Sequence, residues 1–260
     1  MSWQKQTSDK PLYPDMLWDR PERRDQAGKM LIIGGNLHSF AAPAQAFAAA
    51  TGAGIGIARV IIPDSLKKTL RTILPEAIYA PSTPSGSFAK ASLSDWTDEA
   101  AWADGVLLAG DFGHNSETAQ ALETFLDKYS GFVTITQDAL EYLLTRPEKV
   151  ISRPRTTLVL SIGQLQKLAR GVGTTTAITQ SMGLPELAAW LEDFSDEHPI
   201  TIVTKHLDHL IVAHTSNVSS TPTEPSRESW RVDTAARVVV WQLQTPDKPY
   251  PAATTAILDK

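Results

Sequence analysis

The 260-residue sequence contains no cysteine. This absence excludes disulfide bonds, thiolate metal sites and cysteine nucleophiles. The first residues, MSWQKQTSDKPLYPD, also lack the apolar run of a secretory signal peptide. Both absences fit a cytoplasmic protein, and we expect that location.

Long runs of large apolar residues are also scarce. The most apolar stretch, residues 40–63, contains Pro43, Gln45, Arg59 and three glycines, and its first half is mostly alanine. A membrane-spanning helix needs about 20 predominantly apolar residues without such breaks. The formal net charge is −5 and no stripe of Lys and Arg occurs, so we expect neither a membrane nor a nucleic acid as a partner.

The sequence does contain short apolar runs that alternate with helical patterns. The predicted strands are 30–35, 55–62, 76–80, 105–110, 132–136, 157–161, 201–205 and 209–213, and the predicted helices are 41–51, 115–129, 138–144, 164–170, 184–194, 232–244 and 249–258. This alternation predicts an α/β fold, a three-layer α/β/α sandwich with a mostly parallel central sheet and an antiparallel pair at its edge.

Two polar segments flank or interrupt this pattern. Residues 1–28 contain three prolines and a charged run, so they predict an N-terminal arm that is partly ordered through Leu17 and Trp18. Residues 215–229 are rich in Ser, Thr, Pro and Glu and predict a loop. We therefore expect one domain, residues 29–260, behind an arm of residues 1–28.

Ligands bind beyond the carboxyl ends of strands in such sheets. Two glycine-bearing loops follow predicted strands, GGNLHSF (34–40) and AGDFGHN (109–115). Glycines allow the backbone to approach a ligand closely, but each loop is also compatible with an ordinary tight turn. Asp111 would repel a phosphate and suits a substrate hydroxyl or a cation better, although a turn aspartate explains it equally well.

Lys205 and three histidines near it are further candidates. A lysine at a strand end is positioned to meet a nucleotide phosphate. His206, His209 and His214 suggest a metal, but no acidic residue lies at ligand spacing, and strand alternation places 206 and 209 on opposite faces if the run is straight. We therefore predict no metal site. The sequence also shows no Ser-His-Asp set, Walker loop or zinc motif.

Asp233 opens the helical pattern VDTAARVVVW. A carboxylate there caps free N–H groups and is favoured by the helix dipole, at about 1 kcal/mol. The alternative is a catalytic residue, and the residues alone favour the cap.

Taken in order, these stretches resemble the ADP/ATP-dependent NAD(P)H-hydrate dehydratases of the ribokinase-like superfamily, from about residue 17 to 258. AGKMLIIGGN is similar to the family's opening strand and Gly-Gly-Ser loop, and AAPAQAFAAATGAGIGIARVIIP to its Ala-rich helix, Gly-Ala-Gly turn and second strand. The other matching segments are PEAI (75–78), ADGVLLAGDFG (103–113), TQDALEYL (136–143) and TIVTKH (201–206).

The sequence departs from the family at its motifs. Asp111 replaces a glycine of Gly-Pro-Gly-Leu-Gly, and His206 replaces the glycine after the family's lysine. The family's Thr-Pro-His-Pro-Gly-Glu motif aligns with VLSIGQ (159–164). Ser161 therefore stands at the position of the motif's His, and Gln164 at the position of its Glu. Gly-Thr-Gly-Asp aligns with WRVD (230–233), where only Asp233 remains. Family members use that glycine loop to present backbone N–H groups to a phosphate, and Trp230, Arg231 and Val232 resist the required geometry.

The resemblance implies roles for particular residues. Asp233 would be the catalytic acid/base, and Lys205, His206 and Arg231 would bind the nucleotide, with the Arg231 charge standing in for the lost N–H groups. The implied substrate-binding residues are Gly34, Gly35, Asn36, Gly110, Asp111, Gly113, Asp138, Ser161 and Gln164. The implied cofactor is ADP or ATP with Mg²⁺, and the implied assembly is a homo-oligomer.

Three functions remain open at this point. The first is a carbon–oxygen lyase that removes water from hydrated NADH or NADPH at the expense of a nucleotide phosphate bond. The second is a catalytically silent relative that binds a ligand or a partner. A small-molecule kinase of the same superfamily is a weaker third, because it also needs the glycine-rich anion hole.

Overall fold

The computed structural model describes residues 3–72, 74, 76–223 and 230–259. The strands are β1 Trp3–Lys5, β2 Lys29–Gly34, β3 Ile57–Pro63, β4 Ile78–Ala80, β5 Gly105–Gly110, β6 Phe132–Thr136, β7 Thr156–Ser161, β8 Ile200–His206, β9 His209–His214 and β10 Asn217–Pro222. The helices are α1 Ala41–Gly52, α2 Lys67–Leu70, α3 Ser92–Trp102, α4 Ser116–Lys128, α5 Ala139–Leu143, α6 Glu148–Ile151, α7 Ile162–Gly171, α8 Leu184–Glu197, α9 Trp230–Gln244 and α10 Pro249–Ala256.

The strands form one sheet in the order β1-β10-β9-β8-β7-β6-β5-β2-β3-β4. Strands β2 to β8 are mutually parallel, and β9 runs antiparallel to both of its neighbours. In the middle of the sheet, β5 is buried along its whole length, because helices cover both faces of a parallel sheet.

Two apolar cores lie on the two faces of this sheet. One is built around Trp96, Phe112 and Phe125, with α3, α4, α5, α7 and α8 packed over it. The other is built around Trp241 and contains the buried residues of α1, α9 and α10. The predicted three-layer α/β/α sandwich with a mostly parallel sheet is therefore confirmed.

The part of the sheet beyond β8 differs from the prediction. The antiparallel pair β8–β9 is not the edge, because β10 and β1 continue the sheet outward. Residues 217–222 of the predicted loop form β10, so that prediction was wrong; residues 224–229 lie outside the described residues. Ser219 and Ser220 are buried in β10 because their hydroxyls bond Thr254 Oγ1 and Trp3 Nε1, each at 3.0 Å.

The N-terminal segment is held by residues other than the expected ones. Leu17 is 58% exposed and Trp18 is 88% exposed, so the expectation that they order the arm was wrong. Met16 turns inward from a 3₁₀ helix at Pro14–Leu17, and Gln6 is buried beside β10. Residues 1 and 2 of this segment lie outside the described residues.

No helix within the described part of the chain combines the length and apolar content needed to cross a membrane.

Candidate functional site

The carboxyl ends of β2 and β5 meet through glycines. Gly35 N donates to Gly110 O at 3.0 Å. A Cβ on Gly34 would lie 2.5 Å from that same oxygen, and Gly110 itself has φ +114°. Side chains are excluded by this close approach and this conformation, so the glycines that the sequence indicated are required to bring the two loops together.

Asp111 fastens the start of α1 to the loop after β5. Its Oδ2 accepts from Ser39 Oγ and Ala42 N, both at 2.8 Å, and Asn36 Nδ2 donates to its carbonyl oxygen at 2.6 Å. Its φ of +60° is a conformation that glycine and aspartate tolerate best. The protein's own carboxylate therefore meets the helix N-terminus that an external anion would otherwise approach.

Asp138 lies next to the same loops, directly after β6. Its Oδ2 accepts from Gly113 N at 3.1 Å. Its Oδ1 is buried and has no hydrogen-bond partner among the residues that the structure describes. Burial raises the pKa of the Asp138 carboxyl, and the nearby Asp111 charge adds to the rise, although backbone hydrogen bonds partly offset it. Asp138 thus fixes the loop at Gly113 and keeps one carboxylate oxygen without a described partner.

Gln164 connects the ends of β6 and β7 with α9. Its Nε2 donates to Gln137 O at 2.8 Å, and its Oε1 accepts from Arg231 Nη1 at 2.8 Å. Ser161 caps α7 and completes a capping box with Gln164. Gln164 therefore contacts both Ser161, the other predicted substrate residue here, and Arg231, a predicted nucleotide residue.

The sequence interpretation missed two members of this network, Glu141 and Lys167. Gln164 Nε2 also reaches Glu141 Oε1 at 3.1 Å, and Lys167 bonds the other oxygen of Glu141. Burial alone would raise the pKa of Glu141, but the hydrogen bonds from Lys167 and Gln164 bring it below its usual value. Helical spacing was the available signal, because Glu141 follows the predicted site residue Asp138 by three residues and Lys167 follows Gln164 by three.

Asp233 lies in the first turn of the described part of α9. The sequence predicted that the helix begins at about residue 232 with Asp233 at its start, but the described helix already includes Trp230 and Arg231. Its carboxylate points along the helix to Arg237, with Nε 2.9 Å from Oδ2. The side chain is 42% exposed. Its assignment as the catalytic acid/base stays a prediction.

Lys205 and His206 point to opposite faces of the sheet. Lys205 is the direct partner of Ser161 in the β7–β8 register and lies on the same face as buried Val203, which is the face covered by α9. Its Nζ makes no hydrogen bond or ion pair with another described residue. His206 is buried on the other face, with Nε2 2.7 Å from Met182 O. Of the three predicted nucleotide residues, His206 is the one whose side chain lies on the face opposite α9.

Two of the histidines flank the turn between β8 and β9. His206 and His209 are direct cross-strand partners and share a face, so the straight run on which an opposite placement depended does not occur. A tight turn with Leu207 at φ +50° reverses the chain between them, so alternation along a straight strand does not apply. In the described ranges, no group of three His, Asp or Glu side chains lies close enough to hold a metal ion.

Two cavities in the described part of the chain lie away from these strand ends. One of about 600 Å³ runs along β3 and is lined by apolar residues such as Phe40, Phe47 and Ile57. None of the predicted site residues lines it. We base the candidate site on the strand ends, because the converging polar groups are there and because ligands of doubly wound sheets bind there.

The candidate site has two electrically different halves. Asp111, Asp138 and Glu141 lie toward β5 and β6, whereas Arg231 and Lys205 lie toward β7, β8 and α9. Burial lowers the pKa of Arg231, yet a guanidinium stays charged at neutral pH. This polarity suits a ligand with an anionic end and a neutral, hydrogen-bonding end.

Comparisons with known proteins agree with the fold. A family model described as NAD(P)H-hydrate dehydratase matches residues 30–230. Comparison with curated proteins gave no significant match. A ribokinase-like superfamily protein from Enterococcus faecalis is similar in structure, with 16% identity, TM-score 0.75, and coverage of 100% of this chain and 87% of that chain.

A second similar structure is an ADP/ATP-dependent NAD(P)H-hydrate dehydratase from Bacillus subtilis, co-crystallised with ATP/Mg²⁺. The two chains are 14% identical, with TM-score 0.62, and the similarity covers 95% of this chain and 86% of the Bacillus subtilis chain. A Streptococcus mutans protein is 15% identical, with TM-score 0.70 and coverage of 94% and 85%. The fold of this chain is therefore ribokinase-like.

Proposed function

The chain belongs to the NAD(P)H-hydrate dehydratase family, and we propose that it is a nucleotide-binding member that does not catalyse the dehydration. The ion pair between Asp233 and Arg237 carries this proposal. Asp233 is the residue that the family resemblance assigns as acid/base, and here its carboxylate is directed at a guanidinium of its own helix.

A general base must reach the proton it removes with a free lone pair, at about 2.6–3.2 Å. Both carboxylate oxygens of Asp233 face Arg237, at 2.9 Å from Nε and 3.5 Å from Nη2. The three residues before it, Trp230, Arg231 and Val232, are already helical. Residues 224–233 also contain no glycine, so the left-handed turns that aim successive N–H groups at one phosphate are disfavoured.

Side chains supply positive charge where the family resemblance leads us to expect backbone donors. Arg231 uses Nη1 to bond Gln164, and its other N–H groups bond no described residue. A guanidinium has five N–H donors in a planar fork that matches phosphate geometry. Lys205 is free among the described residues and projects toward the same α9 face. We assign the nucleotide phosphates to these two cations.

Mg²⁺ would enter with the nucleotide. Within the described part of the chain no three carboxylate or imidazole groups converge, and Mg²⁺ is commonly held by substrate phosphates with few protein ligands. In that arrangement Mg²⁺ neutralises phosphate charge, and Arg231 and Lys205 orient the phosphates.

Thermal unfolding with ADP, ATP, NADH and NADPH tests nucleotide binding. A ligand that binds only the folded state stabilises it by about 2.7 kcal/mol at a hundredfold excess over Kd. We expect this shift in the wild type and in Arg170→Gln, a control at an exposed arginine. Arg231→Gln and Lys205→Gln should each reduce it. No shift with any of the four nucleotides would refute the proposal.

Dehydration is the second candidate function, and the 42% exposure of the Asp233 side chain favours it. Hydrated NADH is incubated with ATP/Mg²⁺ and either wild type or Asp233→Asn, and the return of NADH absorbance is measured. We expect both proteins to match the protein-free rate. Turnover by the wild type that disappears in Asp233→Asn would establish the dehydratase and reject catalytic silence.

A further inference from the structure

A second, smaller cavity lies at the opposite end of the sheet from the candidate site. Its volume is about 210 Å³. The amino ends of β6, β7 and β8 form one wall, and the connection between α9 and α10 forms another. None of the residues assigned to the nucleotide cleft lines this cavity.

The cavity has two hydrogen-bond donors that the protein does not use. Gln242 is only 4% exposed, and its Oε1 accepts from Thr157 Oγ1 at 2.9 Å. Its Nε2 bonds no other described residue. Arg155 lies over the Phe132 ring, 5.3 Å from the ring centre, and forms no ion pair within the described residues. The buried Gln242 amide and the solvent-exposed Arg155 guanidinium therefore both have donors left for a ligand.

Two acceptors line the same cavity. Asp247 forms no ion pair with Arg155 or with any other residue that the structure describes. His214 Nδ1 lies 3.3 Å from Ile200 O and 3.1 Å from Thr201 Oγ1. A carbonyl oxygen can only accept, so the bond to Ile200 O is made by the tautomer that carries its hydrogen on Nδ1, and this tautomer leaves Nε2 as an acceptor. Burial lowers the pKa of His214, which favours this neutral form.

We propose that this cavity binds a free α-amino acid. Arg155 and Gln242 Nε2 would take the carboxylate, and Asp247 and His214 Nε2 would take the ammonium group. A simple anion would leave Asp247 facing a like charge, and a simple cation would do the same for Arg155. A zwitterion meets both charges, and a cavity of about 210 Å³ suits a small side chain against Pro199 and Pro246.

The test compares matched ligands and variants by thermal unfolding and calorimetry. Alanine, valine and proline are each compared with propionate and with ethylamine at equal concentration. We expect a shift with at least one amino acid and none with the acid or the amine. Arg155→Gln and Asp247→Asn should each weaken binding by about tenfold or more, because each removes a charged hydrogen bond. The controls Arg170→Gln and Asp193→Asn, at exposed residues of α7 and α8, should bind as the wild type does.

Arg155 has φ +56°, so Arg155→Gly removes the guanidinium while relieving the left-handed backbone. This variant should fold at least as well as the wild type and still lose binding. A shift of the His214 imidazole resonances on adding the amino acid would place the ligand in this cavity. The proposal is rejected if no amino acid binds, if propionate or ethylamine binds equally well, or if Arg155→Gly retains full affinity.

Discussion

Arg231 donates from Nη1 to Gln164 Oε1 at 2.8 Å, which joins the two motifs that depart most from the family's pattern. Arg231 falls in the position of the glycine-rich anion loop, and Gln164 in that of a glutamate. A neutral amide accepts from the guanidinium without forming an ion pair, so the positive charge of Arg231 stays available to an incoming anion. The two departures are therefore physically connected.

This contact predicts energetic coupling between the two side chains. Arg231→Gln, Gln164→Ala and the double variant are compared by denaturant unfolding. A hydrogen bond to a charged group contributes about 1.5–3 kcal/mol, and partial exposure reduces that value, so we expect a coupling energy of about 1 kcal/mol. Additive effects would show that the contact contributes nothing to stability. Arg237, on the same helix but bonded to Asp233, provides the control pair with Gln164.

The raised pKa of Asp138 predicts a pH-dependent gain from Asp138→Asn. The folded state binds the Asp138 proton more tightly than the unfolded state, whose aspartates titrate near about 3.9. Above the raised folded-state pKa, the folded wild type is destabilised because it holds an ionised carboxylate in a partly buried position. This destabilisation is absent below the unfolded-state pKa, where the carboxyl is protonated in both states.

Asp138→Asn should therefore unfold at a higher temperature than the wild type at neutral pH. The difference should shrink as the pH falls toward 4. The Asn Oδ1 can still accept from Gly113 N. Asp193→Asn, at an exposed position of α8, should show a small difference at every pH. A constant gain across the pH range would contradict the titration of Asp138.

Substitutions of Asp111 should separate its backbone conformation from its hydrogen bonds. Asp111→Ala loses the bonds to Ser39 Oγ and Ala42 N and puts at φ +60° an alanine, which tolerates this conformation less well than aspartate does. We expect a loss of about 2 kcal/mol, from the lost helix-start bond and the left-handed backbone. Asp111→Gly keeps the backbone conformation and should lose about half as much. Equal losses in chemical denaturation would show that the backbone conformation is unimportant.

Gln6 should contribute more to stability than its place near the terminus suggests. Its Nε2 donates to Thr221 Oγ1 at 2.8 Å and to Thr254 O at 2.7 Å, so it connects β1 to β10 and α10. Gln6→Ala leaves buried acceptors unpaired, at a cost of about 1–3 kcal/mol. Gln4→Ala, at an exposed position of β1, is the matched control. Equal melting temperatures for the two variants would rule out the contribution of Gln6.

The parallel part of the sheet was predictable because each strand is a short apolar run that ends in glycine or a polar residue. The runs at 30–35 and 105–110 contain β2 and β5 within a residue or two. β10 was not predictable in this way. Its sequence, NVSSTP, is typical of a loop. The hydroxyls of Ser219 and Ser220 can be buried because they bond Thr254 and Trp3, which are more than 30 residues away in the chain.

The candidate site, like the sheet, could be predicted from the sequence only in part. Glycines with close approaches, such as Gly34 and Gly110, could be identified from their place after strands. The partners of charged side chains could not, because Asp233 pairs with Arg237 and Asp111 with the start of α1 only once the three-dimensional contacts are known. Nothing in the sequence distinguished a free aspartate from a bonded one.

The pairing of β1 with β10 has a consequence for the order in which the protein is completed. Trp3 lies opposite Val218, so Trp3 must wait for its partner until more than 200 further residues have been synthesised. Until then the outer edge of the nascent sheet is open, and contacts that are so distant along the chain form slowly. Any sequence joined ahead of Trp3 must remain extended or folded apart during that interval, or it will compete for the edge of β10.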